Sequence, residues 1–159
     1  MSDPGISCYK DEFERFHDLL TKQIDICPEE LWTKKVGGYI YWQQLFHVFA
    51  CIEIYALPDG QVSSQTLYPP EVVMFSQEPE VHMTKQQLKD FASKMKKMAV
   101  SFIESMSMDK LLLENSSMSK RLKSPKTNQN ALIALIRHAN YHLGSCDAIL
   151  RQHGIPGVY

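Results

Sequence analysis

The sequence predicts an all-α protein: four helices in a bundle, up-down-down-up, forming a single domain over residues 1–159. Three observations lead there. Four segments repeat apolar residues at steps of three and four. Two long connections separate the last three of these segments. No segment carries the strict alternation or turn-bounded β-branched run of a strand.

The first helix is expected over residues 10–26. Phe13, Phe16, Leu20, Ile24 and Cys27 form its seam, and Pro28 ends it. Residues 1–9, with Pro4 and Gly5, read as a loose lead-in. A segment over 29–38 follows, and Gly37-Gly38 mark a turn. The second helix, 39–57, is apolar nearly all round and is expected to be the most buried. One stripe on it runs Ile40, Gln44, His47, Cys51, Ile54. A glutamine and a histidine in such a stripe need buried partners, because unpaired polar burial costs about 2–7 kcal/mol. Pro58 and Asp59-Gly60 close this helix.

Residues 58–83, with Pro69-Pro70 and Pro79, make a connection far longer than an antiparallel hairpin of helices needs. A crossover between the second and third helices is therefore expected, leaving them parallel. Thr84 and Gln87 fit a capping box. The third helix, 85–107, carries Leu88, Phe91, Met95, Met98 and Phe102 on one face. Its methionines read as core filler. Residues 108–126 form the second connection, with a short helical turn at 111–113 and a Ser-Lys-rich loop after it. Thr127 or Asn128 caps the fourth helix, which runs to residue 153 and is stopped by Gly154, Pro156 and Gly157.

The composition narrows the function. A hydrophobic fraction of 44% and a charged fraction of 22% are those of an ordinary globular chain. A formal net charge of −1 gives no reason to expect nucleic acid or an anionic membrane as partner. The lysines near 94–97 and 120–126 read as a solvated face and a loop. No run approaches the roughly 18 apolar residues of a membrane span, and residues 1–9 lack a secretory apolar segment. A cytoplasmic protein is expected. Cys8, Cys27, Cys51 and Cys146 form no C-x-x-C pair, so reduced thiols are expected rather than a zinc knuckle.

The chemistry lies in the histidines. His17, His82 and His153 have ordinary structural readings, the last facing the negative end of its helix. His47, His138 and His142 sit within apolar helices. His138 and His142 are four apart and stack one turn above the other, with Cβ atoms about 5–6 Å apart. Each alone reads as a hydrogen-bonded boundary histidine. Three buried imidazoles close together need a shared partner, and a divalent metal is one. Three histidines leave positions open for water or substrate, as catalytic sites do. Imidazole ligands suit zinc, nickel, iron or copper. Di-iron bundles need two E-x-x-H motifs; only Glu14 to His17 fits, so that scheme is rejected. No G-x-G-x-x-G, P-loop, H-E-x-x-H or G-x-S-x-G occurs. Gln44, one turn before His47, is the best candidate for orienting a ligand or substrate. Asn140 and Tyr141 are weaker candidates. Cys51 and Cys146 share stripes with the histidines and read as small buried hydrophobes.

The histidine inside YWQQLFHVFACIE, the H-x-x-x-H of LIRHANYHLGSCDAILRQHG, Pro-Glu-Glu-Leu-Trp at residues 28–32 and Gly144 together resemble the DinB superfamily (DinB/YfiT-like). The resemblance covers nearly the whole chain. It implies an up-down-down-up four-helix bundle and a metal, often nickel or zinc, held by a triad that maps onto His47, His138 and His142. It also implies dimers, and for some members thiol S-transferase chemistry with a low-molecular-weight thiol. After the last histidine the chain departs from the common Arg-Gly-Gln and has Leu143-Gly144-Ser145. Three functions are thus expected to compete. One is an enzyme whose metal activates a thiol or water toward a small-molecule substrate. The second is a non-catalytic metal-binding or stress-related protein. The third is a metal-free bundle acting through dimerisation.

Overall fold

Helix α1 (Pro4–Ile26) starts at Pro4 rather than at residue 10. Proline is pre-organised for the first helical position, and Ile6, 3% exposed, buries the added turn. In this computed structural model, residues 4–58, 61, 63 and 67–159 are described; the turn expected at Asp59-Gly60 lies outside them. Helix α2 (Glu29–Trp32) follows Pro28, and the Trp32 indole N–H donates to the Met83 carbonyl at 2.7 Å.

A two-stranded ribbon stands where no strand was expected. Strands β1 (Lys35–Val36) and β2 (Tyr39–Ile40) pair antiparallel, Lys35 opposite Ile40 and Val36 opposite Tyr39. Gly37 at φ 66° and Gly38 at φ 96° supply the two positive dihedrals that such a tight turn requires. The ribbon takes Tyr39 and Ile40 out of the expected second helix.

That helix is itself divided into α3 (Tyr41–Ala50) and α4 (Ile52–Ala56). All ten residues of α3 are buried, as its uniformly apolar sequence demands. At Cys51 the ladder tightens: the Ile54 N–H donates to the Cys51 carbonyl, three residues back, at 3.0 Å. The Gln43 amide donates to the carbonyls of Val72 at 2.8 Å and Gln77 at 3.1 Å, so the crossover is pinned to α3. The crossover contains helix α5 (Pro70–Val73), followed by Phe75 at φ 65°.

Helix α6 (Lys85–Glu104) begins with the expected Thr84–Gln87 capping box. It ends at Glu104, ahead of residue 107. The short turn expected at 111–113 falls at Met108–Lys110 as a 3₁₀ turn. The Ser-Lys-rich stretch is not wholly loop, because residues Ser116–Leu122 form helix α7. Asn115 explains this: its side-chain oxygen accepts from the Met118 N–H at 2.8 Å and its amide donates to the Tyr55 carbonyl at 3.1 Å. One residue thereby caps α7 and fastens it to α4. Helix α8 (Asn128–Gln152) opens on a Thr127–Asn130 capping box.

Helices α1 and α3 each pack against both α6 and α8, and α4 packs against α6, α7 and α8. Tyr41, Trp42, Leu45, Phe46 and Phe49 fill the space between, none of them accessible to solvent. No helix among the described residues is long and apolar enough to cross a membrane.

The tail after α8 is tied down by Asp147, whose side chain is fully buried. Its carboxylate accepts from the Gln23 amide at 2.7 Å, from the Val158 N–H at 3.0 and 3.2 Å, and from the Tyr159 N–H at 3.1 Å. Gly157 passes so close that an added Cβ would overlap the Asp147 carboxylate.

Candidate metal centre

The site forms where α3 meets α8. Position 47 is on the face of α3 that α8 covers, and position 138 is on the facing side of α8. His47 Nδ1 lies 2.8 Å from the Val73 carbonyl. A carbonyl only accepts, so Nδ1 carries the proton and Nε2 presents a lone pair. That Nε2 faces His138 Nε2 at 3.1 Å. At Zn–N bonds of about 2.0–2.1 Å a tetrahedral ion separates its ligand nitrogens by about 3.3 Å. The two nitrogens thus already stand at near-ligand spacing.

Cys51 is the third candidate donor. One helical turn after His47, its Sγ lies 3.7 and 3.8 Å from the two nitrogens of that ring; tetrahedral zinc would separate S and N by about 3.6 Å. His47, Cys51 and His138 can each offer one ligand atom within 4.8 Å of the others, and this buried group could hold a metal ion.

His142 stands beside them. Its ring centroid is 5.0 Å from that of His47 and 4.8 Å from that of His138, while those two are 4.9 Å apart. The imidazoles form a nearly equilateral triangle. His142 Nδ1 is buried without a hydrogen-bond partner, a costly state for a polar atom unless something pairs with it. His142 nevertheless lies outside the three-residue group whose ligand atoms converge within 4.8 Å.

The electrostatics suit ligation. Burial, followed by the repulsion of neighbouring imidazoles, pushes His138 down to about 4 and His142 down to about 3. Burial also lowers His47, against the pull of the Val73 carbonyl. All three rings are neutral at pH 7, the form that binds metal. Burial pushes the Cys51 thiol up to about 12. Without a cation it is an inert thiol rather than a nucleophile.

Aromatic rings wall the site. Phe75 lies 4.5 Å from the His47 ring, centroid to centroid, and Tyr39 packs behind it at 4.4 Å. A bulky residue at φ 65° is strained; here the strained backbone brings Phe75 onto His47.

Of the residues singled out from sequence, His47, His138 and His142 come together. Gln44 is buried, but its side-chain oxygen accepts from the Ser145 hydroxyl at 3.1 Å, joining α3 to α8 rather than touching the donors. Asn140 and Tyr141 are exposed. Cys146, wholly buried, is not in the donor group. Cys51 is buried, as expected of a small hydrophobe, and its sulfur also belongs to the group that could hold an ion. The available signal was its place four residues after His47. The Val73 carbonyl had no signal in sequence at all. Among the other histidines, His82 accepts from the Trp42 indole at 3.1 Å, and His153 donates to the Ile149 carbonyl at 2.9 Å.

No protein-family model matches the chain and no curated protein matches it significantly.

Proposed function

We propose that the protein binds a divalent transition metal through His47 and His138, with His142 and Cys51 completing the donor set, and uses it on a small-molecule substrate. The observation that carries this reading is the pair of Nε2 atoms 3.1 Å apart, in rings that burial keeps neutral. The reading includes a DinB-like four-helix bundle with up-down-down-up topology. The pairwise packing of α1 and α3 with both α6 and α8 supports it, as do the positions of the three histidines. Nickel or zinc suits the imidazoles, and a thiolate donor adds to the case for zinc.

A bound divalent cation supplies Lewis acidity, which makes a thiol or a water nucleophilic near neutral pH. The chain's own residues prepare the place for it. The Val73 carbonyl fixes the His47 tautomer and ring direction. The Gln44–Ser145 hydrogen bond holds the two ligand-bearing helices in register. Phe75 keeps bulk water off one side of His47. Thiol S-transfer, in a homodimer, is the activity that the DinB resemblance favours.

The presence of Cys51 among the donors favours a second reading. Two histidines, a cysteine and a further histidine would close a four-coordinate site, which is a stabilising rather than a catalytic arrangement. Tag-free protein titrated with zinc and with nickel by calorimetry tests the shared claim: near-stoichiometric binding, abolished in His138→Ala, is expected. Cobalt(II) separates the two readings. A thiolate-to-cobalt charge-transfer band that vanishes in Cys51→Ser places the sulfur on the ion and favours the closed site.

A further inference from the structure

Helix α5 is one turn long, so its four carbonyls find no partner inside the helix and depend on what lies beyond it. The Pro70 carbonyl accepts from the Met74 N–H at 2.9 Å, and the Glu71 carbonyl from the Ser76 and Gln77 N–H groups at 2.9 and 3.1 Å. The Val72 carbonyl accepts from the Phe75 N–H at 3.3 Å. The bonds from Ser76 to Glu71 and from Phe75 to Val72 make a Schellman motif, whose left-handed residue is usually glycine. Here it is Phe75, at φ 65°. No backbone N–H among the described residues reaches the Val73 carbonyl, and the His47 ring takes it instead at 2.8 Å.

Two side chains of α3 therefore finish this helix end. Positions 43 and 47 are one turn apart and lie on one face of α3. Gln43, 3% exposed, donates to the Val72 carbonyl at 2.8 Å and to the Gln77 carbonyl at 3.1 Å. Those carbonyls bracket the segment that carries the Val73 carbonyl and Phe75, so one amide clasps both ends of it. His47 meets what the clasped segment presents: a carbonyl at its Nδ1 and the Phe75 ring 4.5 Å from its own. Gln44, the glutamine that stands out in the sequence, is bonded to Ser145 instead.

We propose that Gln43 is the positioning residue of His47: by clasping residues 72–77 it holds the Val73 carbonyl on Nδ1 and leaves the Nε2 lone pair turned toward His138. This role deepens the metal-site reading and rests on it for its purpose, while the tautomer it fixes is measurable without any ion.

Gln43→Met keeps the length of the side chain and cannot donate. Gln43→Asn keeps the amide but ends one methylene short. Asn115→Ala, whose lost side chain bonds Tyr55, Met118 and Asn128, controls for lower stability alone. In the metal-free protein at pH 7, nitrogen-15 NMR reads which ring nitrogen of His47 carries the proton. The Nδ1–H form is expected in the wild type and in Asn115→Ala. The Nε2–H form is expected in about a third or more of Gln43→Met molecules, and in a smaller, detectable fraction of Gln43→Asn. Zinc affinity, read by competition with a chromophoric chelator, is expected to fall about tenfold or more in Gln43→Met and less than about twofold in Asn115→Ala. Nδ1–H retained in both Gln43 variants, Nε2–H in the wild type, or an equal loss of affinity in Asn115→Ala would each overturn the proposal. Should Gln43→Met fail to fold, Gln43→Asn decides by the same tautomer readout. If no zinc binds the wild type while the tautomer answers to Gln43, the metal reading fails and the role of Gln43 in setting His47 stands.

Discussion

His17 shows what an interior costs a titratable side chain. It is 3% exposed, and its Nε2–H donates to the Ala92 carbonyl at 3.0 Å. Burial first, and the Lys96 charge second, push it down from 6.5 to about 4. In the unfolded chain it takes up a proton at the ordinary value, so the folded state binds fewer protons between the two. Stability is therefore full above pH 6.5, falls as the pH drops, and stops falling on this account below about 4. The expected loss from this residue is about 3 kcal/mol, at about 1.4 kcal/mol per pH unit. Urea titrations of the metal-free protein at pH 7 and pH 4.5 measure it. His17→Phe should flatten the slope without abolishing it, because His47, His138 and His142 are shifted the same way. Phe75 offers a second test. At φ 65° an alanine pays the left-handed penalty that a glycine escapes. Phe75→Gly is thus expected to be more stable than Phe75→Ala by about 1 kcal/mol in the same urea assay, although both lose the ring packed on His47.

Helix α7 depends on one side chain outside it. Asn115→Ala removes the cap on Met118 N–H and the link to the Tyr55 carbonyl together. A cap alone is worth about 1 kcal/mol; the part-buried Tyr55 carbonyl left unpaired raises the expected loss to about 2 kcal/mol. Hydrogen exchange should show it as lost protection confined to residues 116–122 and the adjoining α4. The sequence concealed this helix because serine and lysine carry little apolar periodicity, and its stability comes from tertiary anchoring. The long helices were legible for the opposite reason. Their seams repeat over many turns, and the capping box at Thr84 is a local signal that needs no partner. The ribbon at Lys35–Ile40 was too short to alternate visibly. Three histidines stood out as polar residues on greasy stripes, whereas Cys51 did not, since a ligand cysteine and a packing cysteine look alike in one sequence. Nothing in the chain's order announced that residue 73 would offer its carbonyl to residue 47, because that meeting depends on how the crossover returns.

For the molecule as a whole, the donor group spans α3 and α8, two of the elements on which the core is built. A ligand that binds only the folded state stabilises it by mass action, about 2.7 kcal/mol at a hundredfold excess over Kd. For a chain of this length that corresponds to a Tm rise of about 5–10 °C. Scanning calorimetry with zinc and then with excess chelator should show the rise and its reversal, and His47→Ala should show neither. Asp147 has a separate consequence at the opposite side of α8. Its carboxylate takes both the Val158 and Tyr159 amide protons inside the protein. Deuterium should enter those two amides on the slow timescale of a helix interior. In Asp147→Asn the exchange should speed up at both positions, turning the end of the chain into a reporter for whether α1 and α8 remain joined.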